Sequence, residues 1–158
     1  MHLGRLFARK GEFEQASELL NAARDHFVQV GDRVELLATE ARLAESLLLA
    51  AMPDEALALA DATFEKAAVT EGSSLLMPLI GRVRGCALMQ LDRVDQARAA
   101  LEESLSAARE LRMDYEIGLT LSALVDLAER TGTPDVEARQ ERGAIFGRLG
   151  VVAASEDS

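Results

Sequence analysis

In the stretch "DRVDQARAALEESLSAAREL", residues 92 to 111, small and apolar side chains recur at helical spacing. Ala97, Leu101, Ser104, Leu105 and Ala108 stand at i, i+4, i+7, i+8 and i+11, so they share one stripe. Glu102, Glu103, Arg109 and Glu110 lean towards solvent. The pattern is an amphipathic helix, and its opening returns along the chain. "DQA" at Ala97 is echoed by "EQA" at Ala16, "DEA" at Ala56 and "VEA" at Ala138, with spacings of 40, 41 and 41 residues.

Helix-start residues repeat in the same register. Counting back 24 positions from the second, third and fourth alanines reaches Asp32, Ser73 and Asp114, whose side chains are able to accept from the free amides of a first turn. Counting back 12 from the first three reaches Gly4, Ala44 and Gly85, small enough for two helices to approach. Three residues further on stand the large Phe7, Leu47 and Leu88. Each unit therefore reads as helix A, a turn, helix B and a second turn. Helix B opens near "GEFEQA", "MPDEA", "DRVDQA" and "TPDVEA", with Pro53 and Pro134 at or near first helical positions. Gly31 with Asp32, Gly72 with Ser73 and "RTGTP" at 130–134 supply turns. Eight helices are expected, the first one short, in units of about 1–31, 32–72, 73–113 and 114–150, followed by a flexible tail over 151–158. Ala56 and Ala97 are expected at A–B helix contacts.

The order small residue, large apolar residue, turn, then "xxxA" resembles the tetratricopeptide repeat. It is carried by Gly4, Phe7, Gly11, Phe13 and Ala16, then by Ala44, Leu47, Ala56, Gly85, Leu88 and Ala97. The period exceeds the roughly 34 residues typical of that family, and the usual tryptophan and unit-ending proline are missing. Longer units of this kind are similar to the repeat tails of bacterial signalling proteins, such as maltose-regulator-type ATPases and some adenylyl cyclases, and "ERGAIFGRLGVV" reads like the closing helix of such a tail. The resemblance implies an all-α, right-handed α-α superhelix of about four antiparallel helix pairs, and a chain that is a fragment of something larger.

Composition supports helix, since aromatics are only 4% and tryptophan is absent, leaving little strand material. Seventeen basic against 27 acidic residues give a formal net charge of −10, which repels a phosphate backbone and argues against nucleic acid. The single cysteine, Cys86, has no intrachain partner, and "MHLGRLFARK" lacks an apolar core of signal-peptide length. No apolar run is long enough to span a bilayer, so no membrane role is expected and a cytoplasmic location is.

Catalytic chemistry finds little to stand on. His2, His26 and Cys86 fall on different units without ligand spacing, so neither a metal site nor a Cys–His pair is expected, and no cofactor. His26 reads as a helix-surface residue and Cys86 as a small apolar filler. The pairs Glu102 with Glu103 and Glu12 with Glu14 read as solvated faces. "GSSLLMPLIGRVRG" lacks the lysine and preceding strand of a phosphate loop. Within it, Gly81 and Gly85 stand one turn apart and let a neighbouring helix approach, while Arg82 and Arg84 read as salt-bridged surface.

If the A helices line the concave side, as the resemblance implies, a partner meets the residues flanking Ala44 and Gly85. These are Ala41, Glu45 and Leu48, then Arg82, Cys86 and Met89, then Ser122 and Asp126. Their mixed character is unlike a basic clamp for an acidic peptide tail. Leu47, Leu48 and Leu49 span about 200° of a helix, so either adjacent units cover both sides or one leucine belongs to a partner surface. The expected function is a non-catalytic protein–protein interaction module, a scaffold or regulatory tail, that takes a peptide, a helix or a second copy in the A-helix groove. The alternative is a small-molecule sensor domain coupled to a linked effector domain. Leu3, Leu6 and Phe7, with no preceding unit to cover them, point to a homodimer through the first helix pair or the groove.

Overall fold

A computed structural model of the protein describes the backbone of residues 2–150 and the side chains of residues 11–150. Among the described residues seven α-helices follow one another: α1 (His2–Val30), α2 (Arg33–Leu49), α3 (Pro53–Ala68), α4 (Met77–Gln90), α5 (Val94–Glu110), α6 (Asp114–Arg130) and α7 (Val136–Leu149). A 3-10 turn, Ser74–Leu76, leads into α4, and no strand occurs among the described residues. No described helix is long and apolar enough to cross a membrane.

Five turns are built alike. Gly31, Ala51, Asp92, Arg112 and Gly132 each adopt positive φ just past a helix. In each, paired backbone bonds close the end, as in Ala51 N–H to Leu48 O and Met52 N–H to Leu47 O. This arrangement satisfies the last carbonyls that a helix leaves free, and it reverses the chain in two or three residues at the first four of these turns and in five at the last.

The helix starts show which local expectations hold. Asp32 caps α2, its carboxylate accepting from the Glu35 amide at 3.1 Å. Asp114 is the first residue of α6, where its charge complements the helix dipole, but its side chain makes no capping bond. Ser73 stands just before the 3-10 turn that starts at Ser74 but makes no capping bond: it is buried, its hydroxyl lies 2.5 Å from Ala67 O and 2.6 Å from Thr70 O, and α4 begins at Met77. Pro53 opens α3, whereas Pro134 lies in the turn before the cap of α7, Asp135.

The largest correction concerns α1, which is one 29-residue helix instead of a short helix, a turn at Gly11 and a second helix. A β-carbon at Gly11 would meet nothing within 4 Å, so no neighbour forces a break, and continuing the ladder keeps every backbone bond. The expected contacts of Gly4 and Phe7, the uncovered Leu3 and Leu6, His2, and the tail 151–158 lie outside the described side chains or residues.

The core runs along the chain of helices. One cluster joins α2, α3 and α4, a second α4, α5 and α6, and a third α5, α6 and α7; Leu57, Cys86 and Leu124 each touch two of them. In α5 the buried residues are Ala97, Leu101, Ser104, Leu105 and Ala108, the stripe read from the sequence. Ala44, Ala56 and Ala97 have no exposed surface. Gly81 and Gly85 seat α5 against α4, with the Ser104 hydroxyl donating to Pro78 O at 2.7 Å. Each helix packs on its chain neighbours; beyond that, α2 also touches α4 and α4 touches α6.

Candidate functional site

The face shared by α2, α4 and α6 is organised by Arg82. Sequence placed this residue in a solvated salt bridge, but it is 7% exposed and lies between α2 and α6. Its Nε donates to Glu116 Oε2 at 2.8 Å, and its Nη2 donates to Glu116 Oε1 at 3.3 Å and to Glu45 Oε2 at 2.7 Å. One guanidinium thus joins three helices. A planar fork held by two carboxylates fixes geometry in a way a lysine cannot. Burial works against the charge of Arg82, yet the bonds to Glu116 and Glu45 outweigh it and raise its pKa above the ordinary arginine value. Burial likewise pushes the Glu45 carboxyl up, and the bond and charge of Arg82, aided by Arg42, prevail and hold it below its ordinary 4.5.

Arg84, two residues on, points to the other side of α4. Its Nε bonds Asp61 Oδ1 at 2.7 Å, and its guanidinium lies 4.3 Å from the centre of the Phe64 ring, tying α4 to α3. Near the start of the chain, buried Glu40 on α2 draws Arg24 of α1 to 3.8 Å and Lys66 of α3 to 3.7 Å.

The sequence candidates divide on this surface. Ala41, Leu48 and Met89 are buried in the core, at 1%, 7% and 8% exposure, so a partner cannot reach them. Their spacing suggested a free face because packing of α2 against α4 is not visible in either helix alone. Glu45 and Arg82 are engaged with each other. Ser122 turns its hydroxyl back to Gly118 O at 3.0 Å. Cys86 is partly buried and its thiol is pushed up to about 11, chiefly by burial, so it is protonated near neutrality. Asp126 is exposed, with its pKa raised by burial of part of the carboxyl and by Glu129.

Two residues outside that candidate set are more accessible. Leu49 is 74% exposed at the end of α2, and Arg42 is exposed on the same helix. The leucine run held the signal: three consecutive leucines cannot all face one core, and Leu49 is the one left out. Beside it an apolar cleft of about 370 Å³ is lined by Glu12, Phe13 and Ala16 of α1 and by Ser46, Leu49 and Ala50. A larger open groove, about 760 Å³, runs between α5, α6 and the α6–α7 turn and is lined by Arg98, Glu102, Thr133 and Asp135 among others; none of the sequence candidates lines it. Among the described residues no group of three or more His, Cys, Asp or Glu side chains is arranged to hold a metal. His26 is exposed, with its ring edge-on to Phe27.

No protein-family model matches the chain, and no curated protein matches it.

Proposed function

We propose that the chain is a non-catalytic protein–protein interaction module built as a tetratricopeptide-like, right-handed superhelix of helix pairs, and that it serves as a scaffold or as the regulatory tail of a bacterial signalling or transcriptional regulator. The observation that supports this reading is the pattern of helix contacts. Only α2, α4 and α6 touch across the stack, while α3, α5 and α7 touch their chain neighbours alone. That layering is the one expected of a curved stack whose A helices form the inner side, and it supports the reading. Arg82, Glu45 and Glu116 pin those helices at one mutual spacing, and a preorganised face loses little entropy when a peptide or helix docks on it. On that face Arg42 and Asp126 are exposed and Cys86 and Ser122 partly so.

The larger groove is open at the surface, which favours the sensor reading less than an enclosed apolar cavity would. The deciding experiment is capture of helical peptides from a displayed library, followed by charge reversal. Arg42→Glu with Asp126→Lys should abolish binding of the selected peptides, and Glu102→Lys with Glu103→Lys on α5 should leave it intact. The opposite result would place the interface on the outer helices and overturn the reading.

A further inference from the structure

The register places Gly11 five residues before Ala16, as Ala51 stands before Ala56 and Asp92 before Ala97. Ala51 and Asp92 have φ of 58° and 60°, and there the chain turns back on itself. Gly11, the residue that adopts positive φ at least cost, instead lies inside α1. Residues 2–10 therefore continue along the α1 axis at about 1.5 Å per residue. They run away from the cleft between Phe13, Ala16, Leu49 and Ala50, where the helix preceding a turn at Gly11 would lie. In a copy whose α1 is continuous, that segment cannot reach its own cleft.

We infer that the cleft is filled by the 2–10 helix of a second copy, each molecule giving one segment and one cleft in a closed, twofold, exchanged pair. The chemistry of the two surfaces matches. "HLGRLFARK" brings Leu3, Leu6 and Phe7 for an apolar cleft, and Arg5, Arg9 and Lys10 with no acidic residue. The receiving helix presents Glu12 at the cleft and exposed Glu14 and Glu18 beyond it. Arg42, the nearby cation on α2, is already paired with Glu45 at 3.1 Å. The net charge of −10 resists association of the whole molecules, but the segment that makes the contact is locally positive and the surface receiving it is acidic. Exchange of one element through a hinge is a low-cost route to a dimer and closes on itself without further growth.

The inference stands apart from the proposed inner-face binding, since it uses α1 and the end of α2 and leaves the Arg42 and Asp126 test unaffected if it fails. Sedimentation of the full chain across the micromolar range should show a monomer–dimer equilibrium. Leu49→Glu, at a position already open to solvent, should keep the helical spectrum and weaken the dimer by about tenfold or more, and so should Leu3→Glu with Leu6→Glu. Mixing the two variants should restore partial association, because one intact segment then meets one intact cleft. Gly11→Ala, which favours the continuous helix, should leave the dimer intact or tighten it. A wild type that stays monomeric throughout, with residues 2–10 folded back on their own cleft or not, overturns the inference. So does a dimer indifferent to both charge variants, or one dissolved by Gly11→Ala, which would mark a contact between hairpins closed at Gly11.

Discussion

Gly85 of α4 and Leu101 of α5 meet so closely that a β-carbon on Gly85 would lie 2.6 Å from the Leu101 Cγ and Cδ2 and 3.3 Å from its amide nitrogen. Leu101 has no exposed surface. Gly85→Ala is therefore expected to destabilise the protein by about 1–2 kcal/mol, overpacking prevailing over the gain of about 1 kcal/mol in helix propensity. Gly143, inside α7 with nothing within 4 Å, is the control: Gly143→Ala should stabilise by about 0.5–1 kcal/mol. Urea unfolding of both variants checks the pair, and a stabilising Gly85→Ala would contradict the packing described.

Removing Arg82 strands Glu116 and leaves Glu45 with Arg42 alone. Arg82→Met should cost about 3–5 kcal/mol, because Glu116 loses its cation in a buried site where water replaces it poorly. Glu116→Gln in the same chain should recover part of that loss. A double-mutant cycle on Arg82 and Glu116 reads the coupling directly, and additive effects would show that the pair does not act as one unit.

Acid should weaken this network first. The Glu45 pKa is lowered in the folded protein, so its stabilisation is fully present above the ordinary value of 4.5 and is lost as the pH falls through the folded value. As the pH falls below about 4.5 the wild type should lose stability faster than Glu45→Gln, which has no proton to take up there. Denaturant midpoints measured at a series of pH values would show parallel curves if Glu45 contributes nothing.

Cys86 should be a poor nucleophile. With its thiol raised to about 11, alkylation by iodoacetamide at pH 7–8 should be slow in the folded protein and rise to the rate of an ordinary thiol on unfolding in urea. Equal rates in the two states would refute the burial assigned to it.

Arg112 holds a φ of 54° at the end of α5, where a side chain costs energy that glycine avoids. Arg112→Gly should stabilise the fold by about 0.5–1 kcal/mol, the relief exceeding the entropy of a more flexible unfolded chain. Thermal unfolding gives the sign, and a lower midpoint would mean that the Arg112 side chain makes contacts worth more than the strain.

Much of the fold was legible because its causes are local. The stripe on α5 follows from helical spacing, the start of α2 from one aspartate able to reach an amide three residues on, and the seating of α5 on α4 from two small residues one turn apart. Positive φ at Ala51, Asp92 and Arg112 was not legible, since none is the glycine that usually marks such a turn. Gly11 failed in the opposite sense: it has the chemistry of a turn, yet no packed neighbour rewards bending there, and the helix runs on.

The candidate site depended on relations no local pattern contains. Sequence by itself determined that the chain is helical, where most helices begin and which stripe α5 buries, because hydrogen bonding and side-chain spacing within a helix are settled over a few residues. Only the tertiary structure decided that Ala41, Leu48 and Met89 are spent on packing, that Leu49 is left in the open, and that Arg82 reaches partners 34 and 37 residues away. Those outcomes depend on how α2, α4 and α6 are set against one another, and burial and ion pairing between helices are properties of that arrangement alone.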